Sequence, residues 1–190
     1  MDSFGYLSVL LSIILGLAIA QVLLGVRGLI LTRAKVKLYF PTIIWAGLAL
    51  LIAIQAWWAS FGLRSRGNWT FLAFIVLLLQ AICVYMAAAV VLPDITGERN
   101  VDLREHYFAH RSWFFGFNLA GVLFSAAKEF ALNGHLPGGL NGEFHVVFCL
   151  ASGAAAIIRQ EWFHKLGAPA FALLFLVYIT LLFARLSESG

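Results

Sequence analysis

Six long apolar runs, separated by short connections that hold most of the charge, take up nearly all of the 190 residues. A helix rises about 1.5 Å per residue, so crossing a hydrocarbon core of about 30 Å takes ~20 apolar residues. The runs are Phe4 to Leu31, Tyr39 to Leu63, Trp69 to Leu92, Tyr107 to Leu132, Phe144 to Ile158 and Gly167 to Leu186. Hydrophobic residues make up 62% of the chain and charged residues 12%, which is a composition for lipid rather than water. The pattern predicts an all-α polytopic membrane protein, residues 1–190 forming a single bundle of six transmembrane helices. Barrel strands would alternate apolar and polar residues, and these runs are continuously apolar.

The net charge of +4 follows from basic loops and gives no reason to expect nucleic acid. Arg27, Arg33, Lys35, Lys37, Arg99, Arg104, Arg111, Arg159 and Lys165 fall on one side of the predicted bundle. Arg64, Arg66, Lys128 and Arg185 fall on the other. The excess places the first group in the cytoplasm and both termini outside, in the inner (plasma) membrane of a cell. The first run continues too far for the apolar region of a signal peptide and is expected to remain as a helix. Trp45, Trp57, Trp58, Trp69, Trp113 and Trp162 lie mostly near span ends and are expected at the headgroup level. Cys83 and Cys149 sit inside apolar runs and read as inert thiols.

The fifth run is short and rich in small residues, Ala151 to Ala155, and is expected inside the bundle, where backbones approach closely. Gly16 and Ala20 form a second face of that kind. Three spans on either side of the central connection would permit an inverted repeat.

The opening residues Phe4-Gly5-Tyr6-Leu7-Ser8-Val9-Leu10-Leu11-Ser12-Ile13-Ile14-Leu15-Gly16-Leu17 resemble a widespread group of uncharacterised bacterial multi-span membrane proteins. The likeness continues at Trp57-Trp58 and from Tyr107-Phe108 to Arg111-Ser112-Trp113-Phe114-Phe115-Gly116. It covers the first four spans. It implies a membrane bundle and brings no activity.

Chemistry has few places to reside. Asn100 or Asp102 is placed to cap a helix running into the fourth span. Asp102, His106 and His110 then share one face, and His164 and Glu161 lie on the same side of the membrane. His106, His110, His164 and Glu161 are candidate metal ligands, though one HxxxH is a thin ligand set and no cofactor is expected. Lys128 and Glu129 interrupt the fourth span. Ionisable groups at membrane depth face an interior or a watery cavity, unless, like lysine, they snorkel to the headgroups. Arg64, Arg66 and His145 are possible partners for Glu129. Gln21, Gln55, Gln80 and Asn118 lie within spans, either as interhelical bonds or as the lining of a solute path. Arg27 and Arg111 can meet anionic lipid headgroups. Gly138-Gly139-Leu140-Asn141-Gly142 reads as a flexible outer loop, and no spacing proposes a serine nucleophile with its base.

These features predict a channel or carrier for an ion or small solute, rather than an enzyme. The alternative is a structural or regulatory subunit of a larger membrane complex, with a metal-dependent membrane enzyme further off. The expected surroundings are the lipid bilayer and either further copies of the chain or the partners of such a complex.

Overall fold

A computed structural model describes residues 3–64, 69–94 and 100–183. Six helices account for most of them: α1 (Ser3–Leu31), α2 (Phe40–Ser60), α3 (Phe71–Val91), α4 (Leu103–Asn133), α5 (Gly139–Ile157) and α6 (Glu161–Leu182). Arg66, Arg99, Arg185 and the expected end of the last run at Leu186 lie outside the described residues.

Local chemistry sets the helix limits. Tyr39 is extended and Pro41 occupies the first turn of α2, where a missing N–H costs nothing. Thr70 caps α3 by accepting from the Ala73 N–H at 3.2 Å. Asp102 caps α4, accepting from the N–H groups of Arg104 (2.8 Å) and Glu105 (3.2 Å), so α4 begins at Leu103 and not at Tyr107. Gly134 ends α4 in the left-handed conformation, φ 77°.

The glycine-rich segment expected as a loop is instead the first turn of α5. Gly139 takes φ 54°, and the Gly142 N–H bonds to the Gly138 carbonyl at 3.2 Å. A Cβ on Gly142 would lie 2.5 Å from the Pro137 oxygen, so the turn closes only around glycine. α6 likewise starts at Glu161, six residues before the expected Gly167, and continues through Pro169.

Five helices are long and apolar enough to cross a membrane: α1, α2 with its 3₁₀ extension to Leu63, α3, α5 and α6. α4 is the longest at 31 residues, but Arg104, Arg111, Asn118, Lys128 and Glu129 along it dilute its apolar character. It nevertheless packs extensively, against α3 on one side and α5 on the other.

The connections gather at two ends. At one end a short parallel pair joins β1 (Val36–Lys37) to β2 (Val101–Asp102), reinforced by a 3.0 Å Lys37–Asp102 ion pair. There Arg104 also reaches Glu161 at 2.8 Å, and the Thr42 hydroxyl donates to the Leu103 carbonyl at 3.3 Å. These contacts bring the starts of α2, α4 and α6 together. At the opposite end Trp58 donates to the Phe183 carbonyl at 3.0 Å, and Phe4 meets Trp69. Successive helices therefore run antiparallel, and α4 traverses the same length as its neighbours.

The core beside the β1–β2 clasp is aromatic. Trp45 packs edge-on to Phe115 with ring centres 4.9 Å apart, and contacts Phe114 and Phe171. This corrects its expected place at the headgroups: Trp45 is 4% exposed, whereas Trp57, Trp113 and Trp162 do face outward. α5 is also not enclosed as expected. Ser152 and Ala155 are buried, but a Cβ on Gly153 would meet nothing, and Val146, Leu150 and Ile157 point out. Gly16 on α1 likewise has open space beside it.

Candidate functional site

All six helices contribute to one cavity of about 310 Å³ in the half of the bundle away from the β1–β2 clasp. Its deeper wall is apolar and aromatic, with Leu15, Leu77, Phe117, Phe148, Phe171 and Phe175. Polar groups interrupt that wall at separated heights: Gln55 on α2, Gln80 on α3, Asn118 on α4 and Ser152 on α5. Lys128, Glu129, Asn141 and Gly62 line it where it reaches the end of the bundle. A mostly apolar pocket with a few converging polar groups is the usual form of a small-molecule site.

Five of the six residues singled out as transport or buried polar candidates thus meet in one place, although up to 74 positions separate Gln55 from Glu129. Gln21 does not join them and lies half-buried on α1. The Asn118 amide donates to the Phe114 carbonyl at 2.8 Å, which leaves its oxygen uncommitted. The Gln80 Oε1 and Asn141 Oδ1 atoms are buried without a hydrogen-bond partner among the described residues. Buried acceptors without donors are costly, and a water or ligand group in the cavity can supply them.

The charged pair sits on consecutive residues of α4. Glu129 accepts from Asn133 on the same helix, rather than from Arg64 or His145; Arg66 lies outside the described residues. Lys128 has neither an ion pair nor a hydrogen bond among the described residues, whose ion pairs join Lys37 to Asp102 and Glu161 to both Arg104 and Lys165.

His145 has a different partner. Its Nδ1 lies 2.8 Å from the Asn141 carbonyl and its Nε2 lies 3.1 Å from the Ser125 hydroxyl, and both residues line the cavity. A carbonyl only accepts, so Nδ1 carries the proton, and in the neutral ring Ser125 donates to Nε2. The sequence carried no sign of this contact, because a serine and a histidine on successive helices make no local motif.

Closure at the clasp end is tight. His164 is 2% exposed, donates from Nε2 to the Ile158 carbonyl at 2.8 Å and accepts the Tyr107 hydroxyl at 2.9 Å. Asp102, held by Lys37 and by two backbone N–H groups, has its carboxyl pKa below the ordinary range, and the Glu161 carboxylate holds Arg104 above its ordinary value.

The four metal candidates do not converge. His106 donates to the Val90 carbonyl, His110 bonds to the His106 carbonyl, both nitrogens of His164 are engaged, and Glu161 is held by Arg104 and Lys165. Among the described residues no three His, Cys, Asp or Glu groups come close enough to hold an ion. Arg27 is exposed on α1; Arg111 is 5% exposed and donates to the Ala156 carbonyl at 3.2 Å, pointing into the bundle.

Comparison with protein-family models, with curated proteins and with solved structures finds no significant match. The helices make this an α-helical chain suited to the membrane, and the cavity carries the functional argument.

Proposed function

We propose that the chain crosses the membrane six times and works as a carrier for a small solute. In this reading α4 is the sixth span, flanked by α3 and α5, with Arg111 buried and Asn118, Lys128 and Glu129 turned toward the cavity instead of lipid. The clasp end lies in the cytoplasm, since Arg33, Lys35, Lys37, Arg104, Arg159 and Lys165 cluster there, and both termini lie outside. The cavity then opens outward. The one observation that carries the proposal is a mostly apolar cavity with a few polar groups, confined to half the bundle and backed by the aromatic layer of Trp45, Phe114, Phe115 and Tyr107. A channel would need a continuous path, whereas a carrier needs a site reached from one side at a time.

Thiol labelling tests it. In a background with Cys83→Ala and Cys149→Ala, Asn118→Cys is expected to react with a membrane-impermeant reagent added from outside. Ala168→Cys, in the packed layer beyond the cavity, is expected to stay unreactive. Asn118→Cys that is inert from outside, or Ala168→Cys that reacts as fast as Asn118→Cys, contradicts the carrier.

A further inference from the structure

We infer that the cavity selects a zwitterion on a compact apolar body, an ammonium and an acidic group a few bonds apart, as in an apolar or aromatic α-amino acid. The inference rests on the carrier reading and names the solute class for the same site.

The argument begins with the unclosed pair. Lys128 and Glu129 carry opposite charges, line the same cavity and are not within ion-pair distance of one another. Consecutive side chains leave a helix about 100° apart, so the two present their charges to one space from different directions. A ligand with both charges compensates both residues at once. A purely anionic ligand would satisfy Lys128 and face Glu129, and a purely cationic one would do the reverse. In a low-dielectric site such a mismatch costs more than in water.

The neutral groups agree. Asn141 Oδ1, at the same end of the cavity as Glu129, lacks a donor among the described residues, and an ammonium brings up to three. Among the described residues Glu129 commits Oε1 alone, to Asn133. The carboxylate of the ligand would take its bonds from Lys128, whose three donors are unused among the described residues. Phe117, Phe148, Phe171 and Phe175 form an apolar chamber beyond the charges, which an inorganic ion would leave empty. A volume of about 310 Å³ holds one small molecule but not the two acyl chains of a phospholipid. The same pair of charges also occurs in zwitterionic lipid headgroups, so the test must separate the two sources.

The experiment measures binding to the purified full-length chain in nanodiscs by isothermal titration. The probes are phenylalanine, its methyl ester (ammonium only), 3-phenylpropionate (carboxylate only) and dihexanoylphosphatidylethanolamine. The wild type is expected to bind phenylalanine at least about tenfold more tightly than either singly charged analogue, the usual size of one lost charged contact. Lys128→Met is expected to erase the preference over the ester, and Glu129→Gln the preference over phenylpropionate. The analogues alone decide the matter on the wild type, should a variant fail to fold. Equal binding of a singly charged analogue, binding of the lipid alone, or binding of none of the four overturns the inference. In the last case a reactive Asn118→Cys would leave the carrier reading standing, and an inert one would remove both.

Discussion

Gly25 offers a test of helix packing with a built-in control. A Cβ placed on it would lie 2.7 Å from Leu92 Cδ1 and 2.8 Å from Leu92 Cβ, well inside the ~3.5 Å of normal carbon contact. Leu92 Cβ is fixed to the backbone at the end of α3 and cannot rotate away, so α1 has to move off α3. Overpacking of this kind costs about 1–3 kcal/mol. Gly→Ala inside a helix also gains up to about 1 kcal/mol of intrinsic propensity. Gly16, on the same helix, has nothing within 4 Å of the added methyl and receives the gain alone. Subtracting one variant from the other cancels propensity and leaves packing. Gly25→Ala is therefore expected to be about 1–3 kcal/mol less stable than Gly16→Ala, or several degrees lower in melting temperature for a chain of this size. Thermal melting in detergent, followed by size-exclusion fluorescence, reads the difference directly. Equal stability of the two variants would refute the close approach of α1 and α3.

Two further expectations concern the clasp end. Asp102 has a lowered pKa in the folded chain, so its contribution is complete above the unfolded carboxylate value near 4 and is lost as pH falls through the lower folded value. Melting temperature is accordingly expected to fall less between pH 5 and pH 3 in Asp102→Asn than in the wild type; parallel profiles would show that the Lys37–Asp102 pair adds nothing. Tyr107→Phe removes the donor to buried His164 Nδ1 and is expected to cost about 1–3 kcal/mol in a denaturant or thermal series. A loss below about 0.5 kcal/mol, the lower end for a hydrogen bond, would count against the bond.

Much of the architecture could be read from the chain, because continuous apolar length states a span without reference to neighbours. Asp102 was legible as one of two possible caps, with Asn100, since a cap acts locally, here on the N–H groups of Arg104 and Glu105. Boundaries failed where a residue's meaning depended on what lay beside it. Gly138 to Gly142 has the composition of a loop, and only the approach of Gly142 to Pro137 shows why a helix begins there. Trp45 looked like an interfacial anchor until Phe114, Phe115 and Phe171 closed around it.

The candidate site divides in the same way. That Glu129 is too short to reach the headgroups easily was visible in advance, whereas Lys128 could equally snorkel and the amides could equally serve as bonds between helices. That Gln55, Gln80 and Asn118 share one cavity, and that Ser125 pairs with His145, depends on how α2 to α5 pack. No periodicity along a single helix encodes it. The His106 and His110 spacing was real, with ring centres 4.4 Å apart, but backbone carbonyls occupy those rings.

Water access to the cavity is the central claim, and hydroxyl-radical footprinting of the wild-type chain in nanodiscs measures it most directly. Phe117 and Phe148, which line the cavity, are expected to oxidise clearly faster than Trp45 and Phe115 in the aromatic layer, despite the intrinsic reactivity of tryptophan. Oxidation of the cavity residues no faster than of Trp45 and Phe115 would mean a dry interior, and the carrier would have no site to load.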